Sequence, residues 1–241
     1  MASIRILAFS SSRFGNGGYL ETNLPAIKNF FGGKQTNIAF IPFATADSNY
    51  EAYGFQVKEA LKDLQSKIEI VFPENAKSIL EKSNVIMVGG GNTFKLLHDI
   101  YTLNLLDFIR DKVNAGVPYI GWSAGSNILG PTIGTTNDMP IIEPKSFNAL
   151  GLFPFQINPH YFNKKTEGFN GETRDERLEE FLQMNPRIPI VGLPEGTYLQ
   201  LENNTLKYFG TNEGVLFYYK NEERNFTRKK ITDQSDLSFL L

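Results

Sequence analysis

Short apolar runs of strand length alternate along this chain with longer segments whose apolar positions recur at helical spacing, the pattern of an α/β protein built on a mainly parallel sheet flanked by helices. Strands are predicted at Ile4–Phe9, Asn37–Phe43, Ile68–Phe72, Val85–Val88, Val117–Trp122 and Ile188–Leu193. Helices are predicted between them at about Leu20–Phe31, Glu51–Gln65, Ala76–Lys82, Thr93–Tyr101, Leu105–Ala115 and Thr173–Met184. After Gly196 the pattern changes. Thr197–Leu201, Thr205–Phe209 and Val215–Tyr219 are short and separated by turn signals such as Glu202-Asn203-Asn204, which predicts C-terminal antiparallel hairpins. No internal repeat or linker divides the chain, so a single domain over residues 1–241 is expected.

In such a sheet the ligand site lies beyond the carboxyl ends of the strands, which directs attention to the loops that follow them. The run Val117–Trp122 passes into Gly121-Trp122-Ser123-Ala124-Gly125, a Gly-x-Ser-x-Gly turn. A nucleophilic serine is presented on such a tight strand-to-helix turn, and the glycines are needed because side chains there would meet neighbouring backbone. The plain alternative is a glycine-rich βα turn. Ala124 to Leu129 can open a helix whose first N–H groups point toward the site. The loop Gly89-Gly90-Gly91-Asn92-Thr93 lacks the Lys-Ser/Thr ending of a P-loop and the spacing of a dinucleotide fingerprint. Its N–H groups can instead serve one half of an oxyanion hole, or the loop is simply a tight turn.

A serine at its ordinary pKa needs a base, and the chain has only two histidines. His98 sits in a helical segment beside Asp99 and reads as a surface or packing residue. His160 follows Asn158-Pro159, a pair that excludes helix and predicts a fixed loop, and is the candidate base. Two carboxylates, Asp138 in Thr135-Thr136-Asn137-Asp138-Met139-Pro140 and Glu195 in Leu193-Pro194-Glu195-Gly196, can each orient an imidazole. Spacing does not choose between them, because triads assemble from distant loops.

Composition narrows the alternatives. The 241 residues are 41% hydrophobic and 21% charged, ordinary for a soluble globular protein, and a net charge of −2 gives no electrostatic reason to expect nucleic acid or an anionic membrane. The basic run Arg228-Lys229-Lys230 reads as a solvated face. With no cysteine, disulfides, thiolate metal sites and cysteine nucleophiles are excluded. The start Met1 to Phe9 is too short an apolar run for a secretory signal, and no stretch reaches membrane-spanning length, so a cytoplasmic location is expected. The sequons at Asn203 and Asn225 then carry no meaning.

Taken together, Gly89 to Phe94, Gly121 to Gly125, Thr135 to Pro140, Asn158-Pro159-His160, Gly171-Glu172-Thr173-Arg174 and Gly192 to Gly196 closely resemble the peptidase E family of α-aspartyl dipeptidases, in order and from about Ile38 to Gly196. The resemblance implies a flavodoxin-like fold similar to class I glutamine amidotransferases and a serine dipeptidase that cleaves Asp-X dipeptides without metal or cofactor. It implies Ser123 as nucleophile and His160 as base, with Asp138 or Glu195 as third member. Backbone N–H groups of Ala124 and of Gly90 or Gly91 would form the oxyanion hole. Arg174 would grip the substrate aspartate, and Asn92 is a further substrate contact. On residue type alone, Arg174 reads as a surface helix arginine paired with Glu172 or Glu179, and only the family resemblance favours the substrate role. A cyanophycinase-like hydrolase of β-aspartyl linkages and a non-catalytic ligand-binding relative are the competing readings. Monomer and homodimer both remain open.

Overall fold

A computed structural model describes residues 3–165, 167–168, 170–220 and 226–241; the Met1-Ala2 start and the first residue of the sequon at Asn225 lie outside them. Strands β1 (Ile6–Phe9), β2 (Asn37–Ile41), β3 (Lys67–Ile70), β4 (Val85–Val88) and β5 (Tyr119–Trp122) pair in parallel. The antiparallel β8 (Tyr198–Glu202) and β9 (Thr205–Phe209) extend them into a seven-stranded sheet of order β3-β2-β4-β5-β1-β8-β9. Strands β1, β4 and β5 are buried along their whole length, as strands covered on both faces must be.

Alternation along these strands divides the apolar residues between two faces. Leu7, Phe40, Met87, Ile120 and Trp122 pack with Ile27 and Phe30 of α1 (Leu24–Phe31) and Val57 of α2 (Tyr50–Ala60). Ile6, Ala39, Ile86, Val88 and Tyr119 face Leu80 of α3 (Ala76–Lys82), Leu96 and Ile100 of α4 (Thr93–Thr102), and Ile109 and Val113 of α5 (Leu106–Asn114). The helix termini follow local chemistry. Pro25 occupies the first turn of α1, which ends on left-handed Gly32, and Asn49 and Asn92 cap α2 and α4 through their side chains.

Three expectations are corrected. The segment around Asn158-Pro159 is a strand, β6 (Gln156–Pro159), because proline excludes helix but suits extended backbone, most easily at a strand's end. The Ile188–Leu193 run gives β7 (Ile190–Leu193), which leaves the large sheet and joins β6, β10 (Gly214–Tyr219) and β11 (Phe226–Ile231) in a second sheet of order β11-β10-β7-β6. The basic run forms part of an unexpected strand, β11, in which its three residues are exposed as expected while Arg228 is also paired. Its guanidinium is 2.5 Å from Asp175 and also bonds Glu179, both on α7 (Arg174–Met184), where they are only 7% and 11% exposed. Glu179, one of the acids weighed as a partner for Arg174, is therefore taken by Arg228. Elsewhere the shifts are at boundaries. The helix after Ser123 is the short α6 (Ala124–Asn127), and α1 starts after Leu20, whose φ of 56° is left-handed.

Candidate active site

The serine turn is built by the crossing of β5 into α6. Ser123 has φ 53° and ψ −114°, a conformation that costs a non-glycine residue about 1–3 kcal/mol and persists only where its surroundings over-determine it. Those surroundings are specific. The Ser123 N–H donates to Phe9 O at 3.1 Å, Ser126 Oγ bonds Phe9 O at 2.7 Å and Gly121 O at 2.9 Å, and the Tyr119 hydroxyl donates to Gly125 O at 2.6 Å. A Cβ at Gly121 would stand 2.5 Å from Gly125 O, and one at Gly125 2.3 Å from Val88 O, so both flanking glycines are required by backbone contact.

His160 and Glu195 arrive from the second sheet. Strands β6 and β7 are parallel neighbours with Pro159 beside Leu193, so the residues that follow each strand emerge side by side. The His160 Nε2 lies 2.9 Å from Ser123 Oγ, and its Nδ1 lies 2.8 Å from Glu195 Oε1. An ionised carboxylate only accepts, so Nδ1 carries the ring proton and Nε2 of the neutral ring is left to accept from the serine hydroxyl. The His160 backbone is also left-handed, with φ 52°. Its N–H donates to Ser10 Oγ at 2.9 Å, while Ser10 Oγ donates to Leu193 O at 2.7 Å. Ser10 is fully buried at the end of β1 and thus ties the large sheet to the histidine loop. Ser10 belongs to no sequence motif, and its position directly after a parallel strand is the one signal that points to it.

Asp138 makes its bonds elsewhere. Its Oδ2 accepts from the Thr93 N–H at 2.7 Å and from Thr136 Oγ1 at 3.1 Å, at the N-terminus of α4, where a negative charge is favoured. It lines the same cleft as Ser123 and His160 without a hydrogen bond to the ring. The other histidine, His98, turns its Nδ1 to Asp99 at 3.0 Å and is not part of the cleft.

The glycine loop closes against the serine. A Cβ on Gly90 would lie 2.9 Å from Ser123 Cβ, and Gly91, with φ 133°, would bring one to 2.3 Å from Ala44 O. The N–H groups of Gly90, Gly91 and Ala124 find no acceptor among the described residues. Gly91→Ala is expected to destabilise the fold by at least about 2 kcal/mol, combining a disfavoured φ with overpacking against backbone. Denaturant unfolding checks this, and an unchanged midpoint would contradict it. The Asn92 side chain accepts from the Lys95 N–H at 3.1 Å and donates to Met139 O at 2.8 Å, so its polar atoms serve the α4 cap and the Asp138 loop while the residue borders the cleft.

The cleft has a volume of about 730 Å³ and extends from Ser123 past Tyr19, Tyr53 and Trp122 to Asp47 and Asn49. Arg174 does not line it. It opens α7 behind the capping residue Thr173 and borders a separate cavity of about 140 Å³ with Phe162, Lys164, Lys165, Glu172 and Arg177. Burial, and then the neighbouring Arg177 charge, holds its guanidinium below its usual pKa, and it makes no ion pair with a described residue. Among the described residues no group of three or more His, Asp or Glu is arranged to hold a metal ion. No helix among them is long and apolar enough to cross a membrane.

A serine on a strained strand-to-helix turn, met by an imidazole whose far nitrogen rests on a carboxylate, defines a serine hydrolase of α/β architecture. The model of peptidase family S51 matches residues 6–209. The chain belongs to that family and is a peptidase. Peptidase E of Nostoc sp. (strain PCC 7120) is 46% identical over 225 residues, covering 93% of each chain. Peptidase E of Haemophilus influenzae (strain Rd) is 48% identical over 200 residues, 82% of this chain and 92% of its own, and that of Shewanella amazonensis is 44% identical over 240 residues, 99% and 100%. A crystal structure of a peptidase from an acI-B1 actinobacterium shares the fold, with a TM-score of 0.69 at 15% identity over 98% of this chain and 97% of that one.

Proposed function

We propose that this chain hydrolyses dipeptides bearing an N-terminal L-aspartate through an acyl-enzyme on Ser123. The observation that carries the reading is the unbroken line Ser123 Oγ, His160 Nε2, His160 Nδ1, Glu195 Oε1, with contacts of 2.9 and 2.8 Å. His160 takes the serine proton as Oγ attacks the peptide carbonyl, and Glu195 holds the ring and offsets the imidazolium charge. The oxyanion is held by the Gly91 and Ala124 N–H groups, with Gly90 giving the loop its close approach to the serine. The leaving amino acid receives the proton from His160, and water, activated by the same ring, releases aspartate. Asp138 ties its own loop to the α4 N-terminus that follows the glycine loop, and Asn92 adds a second tie to that loop through Met139 O. The whole chain works as one unit, because the core under the large sheet continues into Ile157, Val191 and Leu216 of the second. The cysteine-free composition suits a cytoplasmic enzyme.

Selection of aspartate is assigned to Arg174 on the family resemblance, although it lines a separate cavity and not the cleft that holds Ser123. A half-buried guanidinium beside Arg177, in a cavity also lined by Lys164, Lys165 and Glu172, makes no ion pair with a described residue, and a guanidinium can grip a carboxylate through two parallel bonds. The test is hydrolysis of Asp-Leu, Asn-Leu and Ala-Leu with chelator present. Asp-Leu is the expected substrate, and Arg174→Ala is expected to lower its kcat/KM about 10²-fold, the loss of a charged hydrogen-bonded pair. Equal cleavage of Ala-Leu, or an Arg174→Ala enzyme as efficient as wild type, would overturn the specificity.

A further inference from the structure

One aromatic cluster on the wall of the cleft beside the serine has no place in the triad. The Trp122 Nε1 lies 3.1 Å from both the Tyr53 and the Tyr19 hydroxyl oxygens, the two hydroxyls are 3.0 Å apart, and the Tyr53 hydroxyl lies 3.0 Å from Gly90 O. The direction of this chain is forced at both ends. An indole N–H can only donate and a carbonyl can only accept, so the single Tyr53 proton goes to Gly90 O while Trp122 and Tyr19 supply donors to the Tyr53 oxygen. Burial pushes the Tyr53 phenol above its usual pKa, which keeps that proton in place. A Cβ on Gly89 would come within 2.5 Å of the Tyr53 hydroxyl, so the first glycine of the loop is the one that lets the tyrosine reach the second.

The Gly90 carbonyl and the Gly91 N–H belong to one planar trans peptide and point in opposite directions. Holding the carbonyl on the tyrosine side therefore fixes the N–H on the other, where it has no acceptor among the described residues. Glycine on both sides of this peptide would otherwise leave its rotation unusually free. A donor into the carbonyl also polarises the peptide and strengthens its N–H as a donor.

We propose that Tyr53 is a positioning residue for the oxyanion hole, its hydroxyl locking the Gly90–Gly91 peptide so that the Gly91 N–H is presented to the oxygen that becomes negative in the reaction. Trp122, next to the nucleophile in sequence, anchors Tyr53 in turn. This rests on the serine mechanism proposed above. Direct removal of an oxyanion donor costs about 10²- to 10³-fold in kcat, so loss of the bond that orients one is expected to cost about tenfold.

The experiment compares wild type, Tyr53→Phe, Tyr50→Phe and Ser123→Ala on Asp-Leu. Tyr50→Phe removes another partly buried hydroxyl from α2, one bonded to Asp99, and is expected to keep wild-type kcat. Tyr53→Phe should lower kcat about tenfold with KM nearly unchanged, and should weaken an aspartate-derived boronic acid, which forms a tetrahedral adduct on serine, by a similar factor. Binding of free aspartate should not move. Wild-type kcat in Tyr53→Phe, or an equal loss in affinity for aspartate and boronate, would overturn the proposal. An active Ser123→Ala enzyme would instead remove the serine mechanism itself. Should Tyr53→Phe not fold, the Gly91 amide proton of labelled wild type decides: it should shift downfield on forming the boronate adduct, and its indifference to an adduct that forms would equally overturn the assignment.

Discussion

Ser123→Ala is expected to lower kcat/KM for Asp-Leu by about 10⁴-fold or more, the scale on which removal of the nucleophile silences a serine hydrolase. The substitution is gentle on the fold. Ser123 Oγ makes its one side-chain bond to His160, and the turn is held by other groups: the Ser123 N–H, Ser126 Oγ and the Tyr119 hydroxyl. An inactive but fully folded variant is therefore the expected result, with far-ultraviolet circular dichroism and the melting point close to wild type. Any residual rate reflects binding and the oxyanion donors acting on water. The companion measurement is labelling by a fluorophosphonate, which reports an activated serine oxygen; it should mark wild type and leave Ser123→Ala unmarked. Activity near wild type in the variant would sink the mechanism.

The second large effect separates the two carboxylates. Glu195→Gln keeps the shape at His160 Nδ1 but replaces an obligate acceptor by a group that can also donate, so the ring loses its preference for the tautomer that leaves Nε2 free to accept from Ser123. Loss of the corresponding carboxylate in serine proteases costs about 10⁴-fold in kcat, and with Glu195 about half exposed a fall of about 10²- to 10⁴-fold is expected here. Asp138→Asn should be far milder, because an amide oxygen can still accept from the Thr93 N–H; a loss of less than about tenfold, with a small drop in stability, fits its place at a helix N-terminus. Steady-state kinetics on the two variants gives the ranking. A reversed order would make Asp138 the residue that orients the base.

That the sequence left this choice open has a physical cause. The turn at Gly121–Gly125 and the glycine loop are local devices, set by close approaches over a few residues, and their chemistry is legible in the chain. The helices with strong caps or sharp stops, such as α3 and α4, were legible for the same reason. The third member depends on register: Pro159 lies beside Leu193, and a shift of one residue in that pairing would carry Glu195 away from the ring. Nothing between Asn158 and Glu195 encodes this locally. Strand β6 is not legible locally because Asn158-Pro159 speaks against helix without speaking for a sheet. Strand β11 was missed because Arg228, Lys229 and Lys230 look like a solvated run, although Arg228 neutralises two nearly buried acids on α7. Tyr53 was invisible for a further reason: a tyrosine in an amphipathic helix is ordinary until the loop it touches is known.

Ser123 stands on one sheet, while His160 and Glu195 stand on the other, joined through Ser10 at the carboxyl end of β1. A newly made chain that has formed only one sheet owns a serine without a base or a base without a serine, and neither can open a peptide bond. The activated oxygen is thus a property of the whole tertiary structure, because the Ser123–His160 contact that makes it is supplied by neither sheet alone.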